Sequence, residues 1–310
     1  MPVNARPRIG LLAGDPAGIG PEIAAKLLAE PETHEAADIV LIGDPTLFPK
    51  EHKLPILEVP LVFHPPLAHV SKEAGAFTLA TLKRAARAIE AGEIDALVYA
   101  PLNKQAMKLA GLFKEDEMHY LAYELAFSGL CSEINVAASL WTTRVTSHVP
   151  LREVADLIDE PGVYNAIALL DRIMQTSRVT PPRIAVAGLN PHAGEGGLLG
   201  YEEIRIIGPA VARAKAAGID VSGPYPADTL FIAARRGDFD AVVTMYHDQG
   251  QIAMKLMGFE KGVTLHGGLP KPIATPAHGT AFDIAGKGIA NVGPIREAFR
   301  LVLRLGHAIS

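Results

Sequence analysis

Phe239-Asp-Ala-Val-Val-Thr-Met-Tyr-His-Asp-Gln-Gly-Gln-Ile-Ala-Met-Lys255 decides how the chain is read. Its first half is short, apolar and β-branched and follows Gly237, so it reads as a buried strand. Its second half is fit to begin a helix. His247, Asp248 and Gln249 therefore stand at the carboxyl end of a buried strand, where three polar side chains are costly to hold without a ligand. In open α/β sheets that edge is where ligands bind. A capped strand with a histidine bonded to backbone is an equally simple account of the tripeptide alone.

The same alternation runs outward in both directions. Strands are expected at 9–13, 38–43, 56–59, 96–100, 134–140, 144–147 and 183–187. Helices are expected at 21–30, 71–91, 104–110, 118–128, 163–175, 202–217, 228–236 and 294–305. Pro21 suits a first helical turn and Gly92 a helix stop. Strands alternating with helices imply an α/β architecture with a largely parallel sheet. The segment 45–66 is proline-rich and irregular.

At 310 residues the chain is long enough for two domains or one large α/β unit. A net charge of −5 and the absence of a basic run argue against nucleic acid as a partner. One cysteine, Cys131, excludes an internal disulfide and points to a reducing compartment. The apolar run after Arg6 and Arg8 is broken at Gly10, Gly14 and Asp15, unlike a signal peptide or a membrane span, so a cytoplasmic location is expected.

Two further histidines share the setting of His247. His148 follows a strand immediately before a proline turn, and His192 follows the 183–187 strand in a glycine-rich loop. Three imidazoles at three strand ends can converge on one divalent ion with an open position, able to polarise a hydroxyl or carbonyl oxygen. Taken singly, each is an ordinary loop histidine. His34, His52, His64, His69 and His307 receive no role.

Two loops complete the set. Gly14-Asp-Pro-Ala-Gly-Ile-Gly-Pro-Glu22 places glycines between a strand and a helix N-terminus, a setting that favours an anion. Its spacing does not match the G-x-G-x-x-G fingerprint, and a tight βα turn covers most of it. His278-Gly-Thr-Ala-Phe-Asp-Ile-Ala-Gly-Lys-Gly-Ile-Ala-Asn291 lacks a helical period and spaces His278, Asp283 and Asn291 to line a small pocket.

These stretches, with Ala100-Pro-Leu-Asn-Lys104, Asn190-Pro-His-Ala-Gly-Glu195 and Pro226-Ala-Asp-Thr-Leu-Phe231, come in the order found in 4-hydroxythreonine-4-phosphate dehydrogenases. The chain resembles that family from residue 9 to about residue 305. The resemblance implies a two-domain isocitrate/isopropylmalate dehydrogenase-like fold with mostly parallel sheets and a cleft. Residues 1–128 plus 265–310 would form the cofactor-side domain, and 129–264 a central domain carrying metal and dimer contacts.

It also implies a function: a homodimeric, metal-dependent oxidoreductase of pyridoxine biosynthesis or a related pathway. The enzyme would oxidise the secondary alcohol of a 4-phosphorylated hydroxy acid to a product prone to decarboxylation. Its cofactor would be NAD, with NADP as the alternative, and its divalent ion Zn, Mg, Co or Mn. His148, His192 and His247 fall on the metal ligands, with a further histidine from the partner chain at the interface. Lys255 and His119 fall on substrate-binding positions. Asp228, Asp248 and Lys255 are the candidates for proton transfer. Gly14, Asp15, His278, Gly279, Thr280, Asp283 and Asn291 are the candidates for cofactor contact.

Three positions depart from the family pattern: Tyr120 after the substrate histidine, Thr264 where the family has Asn, and Ile273 where it has Arg. Isoleucine cannot replace a planar, bidentate anion clamp. Either His266 and Lys271 rebuild an anion site for a threonate or erythronate phosphate, or the substrate is an unphosphorylated dihydrodiol carboxylate. A metal-dependent hydrolase or lyase, and an acyltransferase of the same general fold, are the alternatives of another class.

Overall fold

In the computed structural model, which describes residues 6–51, 53–137, 139–177, 181–258 and 261–309, the chain forms two compact units. His52 lies outside the described residues. Unit 1 comprises Met1–Gly129 and Val263–Ser310, and unit 2 comprises Leu130–Gly262.

The strands in chain order are β1 (Arg8–Leu12), β2 (Asp38–Gly43), β3 (Ile56–Glu58), β4 (Ala96–Tyr99), β5 (Ser132–Ala137), β6 (Leu140–Arg144), β7 (Ile184–Ala187), β8 (Val221–Tyr225), β9 (Ala241–Thr244), β10 (Val263–Gly267) and β11 (Ile273–Pro276). The helices are α1 (Gly20–Leu28), α2 (Pro31–Ala36), α3 (Lys72–Glu90), α4 (Lys104–Leu109), α5 (Glu117–Glu124), α6 (Val154–Leu157), α7 (Glu160–Thr176), α8 (Gly208–Ala216), α9 (Ala227–Arg236), α10 (His247–Gly258) and α11 (Gly293–Ile309).

Unit 1 orders its strands β3-β2-β1-β4-β11-β10, parallel except for the β10–β11 pair. Its central strands are apolar on both faces: Ile9, Leu11 and Leu12 of β1 and all of β4 are buried. That double burial is the signature of a parallel sheet covered by helices. The helices begin on visible signals. Ser71 accepts from the Ala74 amide at the start of α3, and Asn103 from the Ala106 amide at the start of α4. Each supplies an acceptor to an amide that the helix itself leaves unpaired.

Unit 2 orders its strands β5-β6-β9-β7-β8, with only β5–β6 antiparallel. β8 is an edge strand, the place in a sheet that tolerates Pro224. α7 starts on Asp159, whose carboxylate accepts from the Gly162 amide. The helix turns Val163, Ile167, Leu170 and Met174, all fully enclosed, into the interior.

The strand pair expected at 134–140 and 144–147 is displaced toward the N-terminus, at 132–137 and 140–144. The helix expected over 202–217 opens as a π turn at Glu203–Ile207, and only Gly208–Ala216 is α-helical. β8, β10 and β11 were not expected from the sequence.

Candidate active site

Strands β6, β9 and β7 are parallel neighbours, with Arg144 in register with Thr244 and Val186 with Val243. Their carboxyl ends therefore open on one edge of unit 2. The segments leaving that edge carry His148, His192 and, at the start of α10, His247. The rings of His148 and His247 stand 5.6 Å apart, tilted by 44°. Around them Ser147, Val149, Leu151, Val154, Tyr246 and Asp248 line a depression.

His247 Nδ1 lies 2.6 Å from Asp248 Oδ1. A carboxylate has no proton to give, so Nδ1 carries a hydrogen, and in the neutral ring Nε2 is the nitrogen with the lone pair. Orienting a metal-binding imidazole in this way is the usual office of a neighbouring carboxylate. The donor set thus suits a divalent cation. Among the described residues, however, His148, His192 and His247 do not form a group with all ligand atoms within 4.8 Å.

His192 is exposed and begins five consecutive residues, to Gly196, with φ between 44° and 80°. Left-handed backbone is unfavourable for residues with a Cβ, and His192, Ala193 and Glu195 all adopt it. What anchors the chain just before this turn is a buried carboxylate. Glu203 Oε1 accepts from the amides of Leu189 and Asn190, both at 2.8 Å, and Oε2 accepts from Asn190 Nδ2 at 3.0 Å.

Lys255 is exposed in the last turn of α10 and Asp228 exposed in the first turn of α9. Eight residues of helix put Lys255 about 12 Å along the axis from His247. Neither it nor Asp228 lines the depression around the histidines.

In unit 1, Gly14 (φ +75°) turns the chain out of β1 where a Cβ would meet the Ala100 carbonyl oxygen at 2.5 Å. Asp15 is 1% exposed; one oxygen accepts from the Ala17 amide at 2.8 Å, and Oδ2 has no hydrogen-bond partner. Burial pushes its carboxyl above the usual range, against the pull of the Ala17 amide. A Cβ on Gly18 would sit 2.9 Å from Thr280 Cβ, and Ile19 donates to the Thr280 carbonyl at 3.1 Å. The far end of the 278–291 loop is tied by Glu22, which accepts from Gly288 and Ala290, and by Lys26, which donates to the carbonyls of the same two residues. A glycine turn before a helix N-terminus, with an unanswered carboxyl oxygen and a pinned loop beside it, suits a nucleotide.

Within that loop His278 Nδ1 approaches the Gly279 carbonyl at 2.9 Å, Gly279 and Asp283 are exposed, and Thr280 is half-buried. Asn291 accepts from the Gly293 amide, a cap for α11. Its side-chain oxygen is thus occupied by backbone.

The substrate-side candidates divide. His119 is half-exposed, and its Nδ1 lies 2.7 Å from Asp116, which also accepts from the His119 amide as the cap of α5. Burial alone would raise the Asp116 carboxyl, but the two His119 hydrogen bonds prevail and hold it below the usual range. Thr264 is half-buried on β10. Tyr120 is buried edge-on to Phe113, and burial, then Glu124, pushes its hydroxyl up to about 12. Ile273 is fully enclosed in β11. His266 is 2% exposed, with Nε2 2.9 Å from the Tyr99 hydroxyl. Lys271 adds its charge to the field of Asp95. Where the sequence suggested a rebuilt anion site, His266 is an enclosed core group.

The family described as "Pyridoxal phosphate biosynthetic protein PdxA" matches residues 15–302. The chain belongs to the PdxA family. A Pseudomonas aeruginosa relative named "Putative 4-hydroxythreonine-4-phosphate dehydrogenase 2" is 47% identical, with 99% of each chain covered. A Pectobacterium atrosepticum relative named "D-threonate 4-phosphate dehydrogenase" is 38% identical, covering 96% of this chain and 98% of the other. The solved 4-hydroxythreonine-4-phosphate dehydrogenase of Klebsiella pneumoniae matches with a TM-score of 0.84 at 35% identity, over 98% and 99% of the two chains. The solved terephthalate 1,2-cis-dihydrodiol dehydrogenase of Burkholderia xenovorans matches with 0.70 at 30%, over 96% and 98%. Isocitrate dehydrogenase of Methylococcus capsulatus shares the fold, with a TM-score of 0.56 at 17% identity, over 97% and 87%.

The expected family and fold class therefore stand, and this PdxA-family chain is a dehydrogenase. The hydrolase, lyase and acyltransferase readings fall away. Among the described residues no helix is long and apolar enough to cross a membrane.

Sequence reasoning missed four supporting side chains. Glu22 and Lys26 carry a legible signal, an acid four residues before a base at the start of a helix. Asp116, three residues before His119, is a recognisable cap. Glu203 and its partners are far apart in sequence and give no such signal.

Proposed function

We propose that this dehydrogenase oxidises the secondary alcohol of a 4-phosphorylated hydroxy acid with NAD, with a divalent ion held by His148, His192 and His247 and a histidine of a partner subunit. The observation that carries the reading is the pairing of His148 with His247 at the sheet edge, with Asp248 fixing the His247 ring. The names of the relatives, 4-hydroxythreonine-4-phosphate and D-threonate 4-phosphate dehydrogenases, support the substrate class.

When bound, the ion supplies positive charge to the hydroxyl oxygen and NAD supplies the hydride acceptor. Unit 1 provides the cofactor side: the Gly14–Gly20 turn admits close approach of backbone, and Glu22 and Lys26 hold the 278–291 loop in place. His119, with Nδ1 committed to Asp116, offers Nε2 to a polar group of the substrate. Asp248 is engaged with His247, and the other two candidates for moving the hydroxyl proton, Lys255 and Asp228, are exposed and stand outside the depression around the histidines. A β-keto acid product would lose carbon dioxide readily.

A second reading has its own support. Ile273 removes the family's arginine clamp and His266 is turned to Tyr99, which favours an unphosphorylated dihydrodiol carboxylate, the kind of substrate named for the Burkholderia xenovorans relative. The deciding experiment offers 4-phosphorylated hydroxy acids and unphosphorylated diol acids with NAD and follows NADH absorbance, with and without EDTA. Turnover confined to the phosphorylated series, abolished by EDTA and restored by a divalent ion, is expected. Turnover of the diol acids alone overturns the substrate assignment, and EDTA-resistant turnover overturns the ion.

A further inference from the structure

The three histidine segments of unit 2 are stapled to one another through the backbone of one residue, Met245, and a single side chain, that of Gln249. The Met245 amide donates to Gln249 Oε1 at 2.7 Å, and Gln249 Nε2 donates to the Gly188 carbonyl at 2.8 Å. On its other side, the Met245 carbonyl accepts from the Thr146 amide at 3.0 Å and the Thr146 hydroxyl at 2.8 Å. Thr146 stands two residues before His148, Met245 two before His247, and Gly188 four before His192. The side-chain amide has no freedom to flip. An N–H can only donate and a carbonyl can only accept, so Oε1 must face Met245 and Nε2 must face Gly188.

We propose that Gln249 is the positioning residue of the metal centre, setting the His192 segment against the His148 and His247 segments. It would not touch the ion or the substrate. Its task follows from the backbone: the His192 turn is left-handed over five residues and gains nothing from helix propensity. Glu203 holds Leu189 and Asn190 just before the turn, and Gln249 ties Gly188, at its root, to the neighbouring strand end. The inference rests on the metal reading above.

The test titrates Co²⁺ into the metal-stripped full-length protein and reads the visible ligand-field spectrum, with thermal melting in parallel. Gln249→Leu, which deletes both bonds, should weaken Co²⁺ binding about tenfold or more and alter the band shape, the range seen when outer-shell partners of metal ligands are lost. Gln249→Glu keeps the acceptor for Met245 and loses the donor for Gly188, so it should bind with intermediate affinity. It also serves if the leucine variant fails to fold. Leu170→Ala, in the core of α7 and remote in sequence from all three segments, should lower the melting temperature while leaving Co²⁺ affinity unchanged. Wild-type affinity and spectrum in both Gln249 variants overturn the inference and leave the metal centre standing. No saturable Co²⁺ binding by the wild-type protein overturns both.

Discussion

Asp248 and Asp116 treat their histidines alike: each carboxylate sits on Nδ1 and leaves Nε2 outward. Their consequences differ because one is exposed and the other is not. Asp248→Asn keeps the shape and removes the charge, so the His247 ring loses its fixed tautomer; metal affinity and kcat should fall together by about 10–100-fold. An unchanged Co²⁺ titration would count against the role given to Asp248. Asp116 also supports the fold. Its carboxyl is held below the unfolded value of about 3.9, so its stabilisation is complete above that pH and disappears as pH falls through the lower folded value. Asp116→Ala should therefore cost stability at neutral pH, by about 1 kcal/mol from the cap alone, and should flatten the acid limb of stability below about pH 4. Urea melts of both proteins at pH 3, 5 and 7 read this directly. A parallel acid limb would show that the pairing with His119 is energetically idle.

The 278–291 loop makes a hydrogen-bonded turn of its own at 281–287 and is tied to α1 at its far end. Glu22→Ala strands the Gly288 and Ala290 amides and unseats Lys26, so the loop should loosen with little effect on the rest of unit 1. NAD should then bind more weakly, read as a smaller NAD-induced rise in melting temperature, while Co²⁺ affinity in unit 2 stays as in the wild type. At this scale it is also clear why some segments were legible and others were not. β1, β2 and β4 are apolar runs closed by glycine, aspartate or proline, and α3 and α7 carry caps and a helical period. β8 reads Val-Ser-Gly-Pro-Tyr and β11 Ile-Ala-Thr-Pro, sequences whose proline and glycine argue locally against a strand. Their neighbours supply the pairing that the local sequence lacks. The π turn at Glu203–Ile207 hides inside a helical period because the extra residue leaves the spacing of apolar side chains nearly intact. At the edge of unit 2, the places of His148, His192 and His247 after strands were legible. The burial of His266 was not, because a histidine beside two glycines reads as loop until β11 is known to lie alongside.

For the whole chain, the proposed function implies that each unit answers to a different ligand. NAD should raise the melting temperature through unit 1 and a divalent ion through unit 2. Each contributes by mass action, about 2.7 kcal/mol at a hundred times its dissociation constant. Calorimetry with NAD, Co²⁺, both and EDTA separates the two. Stabilisation by NAD that survives EDTA is the expected outcome, and a response to neither would remove the basis for the enzyme's cofactor assignment. The order of the chain adds a last consequence. The sheet of unit 1 waits for β10 and β11, and its α11 comes last of all, whereas every residue of unit 2 is already made by Gly262. On the ribosome the inserted unit can therefore close while its host is still missing two strands and a helix. A nascent chain whose Gly262 has cleared the ribosome while β10 and β11 have not should already protect unit 2 from protease and leave β1 to β4 open to cleavage.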